Sequence, residues 1–265
     1  MNGCRIPLFL TGITLLFAGR TQAAGWKVEV VDPAGTGAFT SLKFDRFGNG
    51  HLAYIVQDRN HYPLKYAFWD RALKRWFVMG VANSASYCSL AVDSQGRPHI
   101  SYADFGTLAG SQVRYAHWDG AVWSVAAIPA NSETIGYYTS IALDALDRPI
   151  ITFYELSGPL ETTFKRRLRN VAWTGEYWEL TTIDGTDGSG KFNSMASDPR
   201  GLLHLVYANV AESTQAMRYA SWDGKWTCNL FTIQDVFSSF PRKRESILHF
   251  FQKLPLDKSP KIWFN

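Results

Sequence analysis

The sequence predicts an all-β fold built from four copies of one four-stranded antiparallel unit. Three observations carry this. A Ser-apolar-x-x-Asp-x-x-Gly segment recurs four times. Each copy is followed by strand-like runs that close on paired tryptophans. No segment beyond the N-terminal leader shows a convincing 3.6-residue apolar period.

The four segments run Ser41–Gly48, Ser89–Gly96, Ser140–Asp147 and Ser194–Gly201. Asp147 replaces glycine once. The aspartates Asp45, Asp93, Asp144 and Asp198 are 48, 51 and 54 residues apart. Asp-x-x-Gly between two apolar runs is a hairpin signal, because the carboxylate caps its own turn and glycine supplies positive φ. The next strand follows at once: His51–Tyr54, His99–Tyr102, Ile150–Phe153 and His204–Tyr207. A third run ends on Trp69, Trp118, Trp173 and Trp222, and a closing tryptophan (Trp76, Trp123, Trp178, Trp226) opens another short strand. Gly120, Gly175 and Gly224 mark a second tight turn between the tryptophans.

Four-stranded units of about 50 residues, each unable to bury both faces alone, are how β-propeller blades look in sequence. A β-helix needs shorter coils, and a sandwich does not repeat four times at this period. The expected blades are 26–76, 77–123, 124–178 and 179–226, inside a propeller region of 24–234. Thr227–Ile233 reads as one strand of a fifth blade. An incomplete or open ring follows, with an unpaired edge at each end.

The first 23 residues read as a secretory signal peptide: Arg5, an apolar Ile6–Ala18, and small residues before cleavage at Ala23 or Ala24. The run is too short for a stable membrane span after cleavage. Export to the periplasm or beyond permits a disulfide. Cys88 and Cys228 sit at different repeat positions, however, so two buried free thiols are expected.

The net charge of +4 is misleading. The leader contributes +2 and the stretch from Asp235 contributes +3, which leaves the repeats at −1. Nothing there argues for nucleic acid or an anionic membrane as partner. Residues 235–265 break the pattern in mid-blade. Ser239–Ser246 looks like an in-frame translation of a dispersed bacterial DNA repeat, so this tail is expected to be poorly packed.

The repeat resembles secreted bacterial propellers of the sialidase-like (BNR-repeat-like) superfamily, over about Trp26 to Ile233. The resemblance implies a ring of six to eight blades, of which this chain supplies part. The Asp-box of sialidases runs Ser-x-Asp-x-Gly-x-x-Trp; here the spacing is Ser-x-x-x-Asp-x-x-Gly. A sialidase would use a tyrosine nucleophile with a carboxylate partner. Tyr154 and Glu155 are the nearest match, although neighbours on a strand face opposite sides. The arginine triad that the resemblance implies is not located.

Residues at equivalent repeat positions solve the same packing problem in every copy. Asp45, Asp93, Asp144 and Asp198 are therefore read as turn caps. Trp69, Trp118, Trp173 and Trp222 are read as inter-blade packing. His51, His99 and His204 are read as partners of a neighbouring blade's backbone or turn aspartate rather than as metal ligands. Binding is expected where copies differ: Trp118, Trp173 and Arg166 are candidates for a carbohydrate or protein ligand, together with the loops Glu155–Glu161 and Asp184–Gly190. No P-loop, zincin, Cys-x-x-Cys or dinucleotide motif occurs, so no cofactor is expected. The reading is an exported, non-catalytic scaffold, with a sialidase-like hydrolase as the alternative.

Overall fold

The computed structural model describes residues 25, 27–34, 36–58, 61–105, 112–129, 134–158, 165–211 and 214–229. The expected signal peptide, 1–23, and the 235–265 tail lie outside the described residues. Residues 1–31 and 32–265 form two compact units. In the first, Lys27 and Glu29 pair at 3.0 Å on an exposed, irregular segment. The second holds all the strands.

There are sixteen strands in four antiparallel sheets, each a simple meander. The first sheet contains β1 (Thr36–Phe44), β2 (Gly50–Gln57), β3 (Leu64–Asp70) and β4 (Arg75–Ala82). The second contains β5 (Ser86–Val92), β6 (Pro98–Asp104), β7 (Gln112–Trp118) and β8 (Trp123–Ala127). The third contains β9 (Thr134–Leu143), β10 (Pro149–Ser157), β11 (Lys165–Trp173) and β12 (Trp178–Asp184). The fourth contains β13 (Ser189–Ser197), β14 (Leu203–Ala211), β15 (Thr214–Trp222) and β16 (Trp226–Asn229). No helix occurs among the described residues.

This topology shifts the expected blade boundaries by one strand. The tryptophan-led strands pair backwards: β4 with β3, β8 with β7, β12 with β11 and β16 with β15. Trp226–Asn229 therefore completes the fourth sheet instead of opening a fifth. The physical reason is the short connection between the two tryptophans of each copy, which leaves room only for a hairpin.

The sheets are propeller blades packed in chain order through their first strands, β1 against β5, β5 against β9, and β9 against β13. The first and last sheets do not close on each other, so the arc is open. Each core lies between two blades. Ile55, Leu64 and Tyr66 pack with Leu90 and Ile100; Val113 packs with Ile141, Ile151 and Phe153; Leu168 packs with Met195, Leu203 and Leu205. A fully buried side chain of this size contributes about 1.5–3 kcal/mol. The approach is close enough at Gly136 that an added Cβ would sit 2.2 Å from Val113.

The repeated serine is a stitch across these junctions. Ser41 Oγ accepts the Leu90 N–H at 3.1 Å. Ser89 accepts that of Ile141 at 3.2 Å, and Ser140 that of Met195 at 2.9 Å. The departure at Asp147 also bridges blades: its carboxylate accepts the Ser94 N–H at 3.0 Å and the Ser94 hydroxyl.

Candidate functional site

Strand register defines two ends in every blade. Phe44 pairs with Gly50, Gly50 with Trp69, and Trp69 with Trp76, all at the end that carries the hairpin turns. Ala38 pairs with Ile55, Ile55 with Leu64, and Leu64 with Ala82, at the opposite end.

The aspartate cap of the turn end is the same in each copy. Asp45 Oδ1 accepts the N–H groups of Phe47 and Asn49, both at 2.8 Å. Asp93, Asp144 and Asp198 do the same for the residues two and four positions on. Gly48, Gly96, Asp147 and Gly201 follow with φ of 58–82°. His51 lies 2.6 Å from the Tyr66 hydroxyl and 3.4 Å from Asp45. His99 bridges Tyr115 and Asp93, and His204 bridges Tyr219 and Asp198, in the same way. These partners are on the histidine's own blade, where the sequence reading placed them on a neighbour. Each His thus has a hydroxyl on one ring nitrogen and a carboxylate near the other. Burial pushes the pKa of His51 and His99 down, against the pull of Asp45 and Asp93. No metal-holding cluster occurs among the described residues.

Trp69, Trp118, Trp173 and Trp222 pack on the closing tryptophan of their own blade, with centroids 5.4–5.7 Å apart. The inter-blade aromatic contact is made by the closing residues instead: Trp123 meets Tyr66 and Trp178 meets Tyr115, each at 5.3 Å. Trp118 and Trp173 therefore belong to the turn end. A cleft of about 460 Å³ also opens there, lined by Phe44, Asp144, Asp147, Asp198 and Arg200 among others.

The opposite end carries a feature the sequence reading missed. Phe39, Tyr87, Tyr138 and Phe192 each sit two residues before the repeated serine, at a bulge in the first strand of their blade. All four hold left-handed backbone, with φ of 49–52°. That conformation costs roughly 1–2 kcal/mol for a bulky residue and persists only where its surroundings fix it. Two contacts do so. The rings form a row, with centroids 4.8, 4.5 and 4.8 Å apart from Phe39 through Tyr87 and Tyr138 to Phe192. The carbonyls are pinned by the next blade: Cys88 Sγ donates to Phe39 O at 2.7 Å, Thr139 Oγ1 to Tyr87 O at 2.6 Å, and Asn193 Nδ2 to Tyr138 O. Phe105 and Tyr137 extend the aromatic surface, with Tyr137 6.0 Å from Tyr87. The sequence signal was an aromatic at constant offset from serine.

Behind the row, the third strand of each blade sets base against carboxylate, with two bases in the third blade. Lys65 pairs with Asp32 at 2.8 Å, Arg114 with Asp104 at 2.7 Å, and Arg218 with Asp184 at 2.5 Å. Arg169 pairs with Glu155, which also binds Arg167. Blades two and three draw the acid from their second strand. Blade one draws it from the segment before its first strand, and blade four from the last residue of β12. Lys65 is the main cause holding Asp32 down at about 2. Burial pushes Asp184 up, but the Thr186, Arg218 and Tyr207 donors outweigh it and hold it at about 2.

Tyr154 and Glu155 are at this end, and both are buried. Glu155 is engaged by the two arginines. Tyr154 packs near Tyr138 at 6.2 Å, with Lys191 over its ring at 5.6 Å. Burial raises the Tyr154 pKa, which disfavours a nucleophilic phenolate. Arg166 pairs with Asp187 in the loop before β13. Cys88 and Cys228 are both free thiols. Cys88 is buried, and burial pushes its pKa up to about 12. Cys228 is exposed, contrary to expectation, because it lies on the outermost strand, with a 3.2 Å contact to Ile183 O.

No family model and no curated protein matches the chain. Solved structures do. A protein of unknown function from Dyadobacter fermentans aligns at a TM-score of 0.56 and 10% identity, over 76% of this chain and 66% of that one. A polysaccharide lyase of family PL25, an ulvan lyase, aligns at 0.51 and 14%, over 74% and 57%. The polysaccharide lyase Uly1 aligns at 0.50 and 9%, over 74% and 50%. The chain spans between half and two thirds of these proteins. At such identities the likeness shows the fold: four blades of a β-propeller arc.

Proposed function

We propose that this chain is an exported, non-catalytic propeller scaffold that binds carbohydrate along the aromatic row. The carrying observation is the row itself: four rings on the first strands of successive blades, held side by side in left-handed backbone. Strain of this kind collects where a surface must be presented. The C–H faces of a pyranose stack on such rings, and tyrosines within the row carry hydroxyls that can bond sugar oxygens. The lyase neighbours act on polysaccharide, which supports a glycan as ligand class. The leader 1–23 supports periplasmic or extracellular placement. Kinship with sialidase-like propellers remains part of this proposal. The scaffold reading is preferred to a hydrolase because Glu155 is spent on two arginines and Tyr154 is buried.

The test is titration calorimetry of the full chain against neutral and uronate-containing polysaccharides. Phe192→Ala and Tyr138→Ala should each weaken binding at least tenfold, with the Phe192 variant keeping its melting midpoint. No binding to any glycan, or binding indifferent to both changes, would overturn the reading. Turnover of a fluorogenic sialoside, lost in Tyr154→Phe, would establish the hydrolase instead.

A further inference from the structure

The two ends of the arc present faces that every interior junction buries. On the first blade, Leu42 is 52% exposed, while its equivalents Leu90, Ile141 and Met195 are buried under the preceding blade. On the fourth blade, Val206 is 40% and Met217 62% exposed, while their equivalents (Thr152 and Leu168 in the third blade) are fully buried by the next one. These faces differ from each other, and each matches the other. We propose that a second copy of the chain docks head to tail on them, two copies closing one ring of eight blades.

The three junctions inside the chain specify the occupant. Each needs a serine on the leading blade and, on the following one, an apolar residue whose N–H reaches it. Each also needs a side-chain donor, Cys88, Thr139 or Asn193, for the carbonyl of the left-handed aromatic. The fourth blade offers Ser194 and the Phe192 carbonyl. The first offers the Leu42 N–H and the Thr40 hydroxyl. Phe39 of one copy would continue the aromatic row from Phe192 of the other. A heterologous contact of this kind closes when its rotation divides the circle. Eight blades lie within the range propellers adopt. The inference stands whether or not the row binds sugar.

Light scattering on the purified full chain at about 10 μM should give twice the single-chain mass. Leu42→Asp and Met217→Asp should each give the single-chain mass with an unchanged far-UV spectrum, since both positions are exposed. Leu42→Lys repeats the measurement should the aspartate variant misfold. A 1:1 mixture of the Leu42 and Met217 variants should return to the two-chain mass, because one intact face remains on each. A single-chain mass for the wild type, as when the chain's own residues 230–265 cover a face, would overturn the proposal. So would mass that grows without limit as concentration rises. Failure of the mixture to reassociate would show self-paired faces and equally overturn it.

Discussion

The turn end and the row end of each blade solve different problems. At the turn end, all four copies place an aspartate in the same cap, over the N–H groups two and four positions on. At the row end, the four copies reach one result, a neutralised base behind an aromatic, by different routes. Asp32 comes from the segment before its blade and Asp184 from the last strand of the preceding one; Asp104 and Glu155 come from within their own. The local end is repeated because a hairpin needs its cap wherever it occurs. The other end is free to vary, because only the charge balance has to be met.

Four measurements would break or sharpen this contrast. The largest effect is expected at the row end. Asp184→Ala leaves Arg218 without its carboxylate and removes the acceptor of Tyr207, which donates at 2.9 Å. Stability should fall by about 3–5 kcal/mol in urea unfolding, as when one partner of a buried pair is removed. A loss below about 1 kcal/mol would place this pair among surface ones. At the turn end, Asp93→Ala deletes two N–H caps and the Arg97 contact. The expected cost is about 2 kcal/mol. A larger loss than at Asp184 would invert the comparison.

The serine stitch comes next. Ser89→Ala leaves the Ile141 N–H without its acceptor and should cost about 1–2 kcal/mol. In a single chain at high dilution, Ser194→Ala should stay within about 0.5 kcal/mol. Equal costs would show that the serine acts inside its own blade.

The smallest effect is in pH. His51 and His99 titrate below 6.5 when folded, because burial disfavours their charged form. The unfolded chain then binds more protons, so this contribution is full above about pH 7 and declines as pH falls through 6.5. Asp32 and Asp184 are held near 2, below the ordinary 3.8. Their contribution is present above 3.8 and is lost as pH falls through about 2. Urea midpoints should therefore fall in two steps. The His51→Gln, His99→Gln double variant should remove only the step that begins as pH falls below about 7.

Legibility in the sequence followed contact range. The Asp-x-x-Gly hairpins were readable because the cap and its N–H partners lie two and four residues apart. The tryptophan hairpins were readable for the same reason, yet the blade phase was not. Whether Trp76 begins a blade or ends one depends on which strand it pairs with. Phe39, Tyr87, Tyr138 and Phe192 stood at a fixed offset from serine, but nothing local announces left-handed backbone in an aromatic. The carbonyls of the first three are held by residues 49 to 55 positions away. Trp118 and Trp173 drew attention as large aromatics, and register places them at the other end of the blade from the row.

The sequence alone determined four units, their strands and their turns, because hairpin chemistry is written in neighbouring residues. Tertiary structure decided where one blade stops, which aromatics share a surface, and which apolar residues at the ends of the arc go uncovered. Those properties arise between blades about 50 residues apart, where packing and burial choose among side chains that look equivalent in each copy.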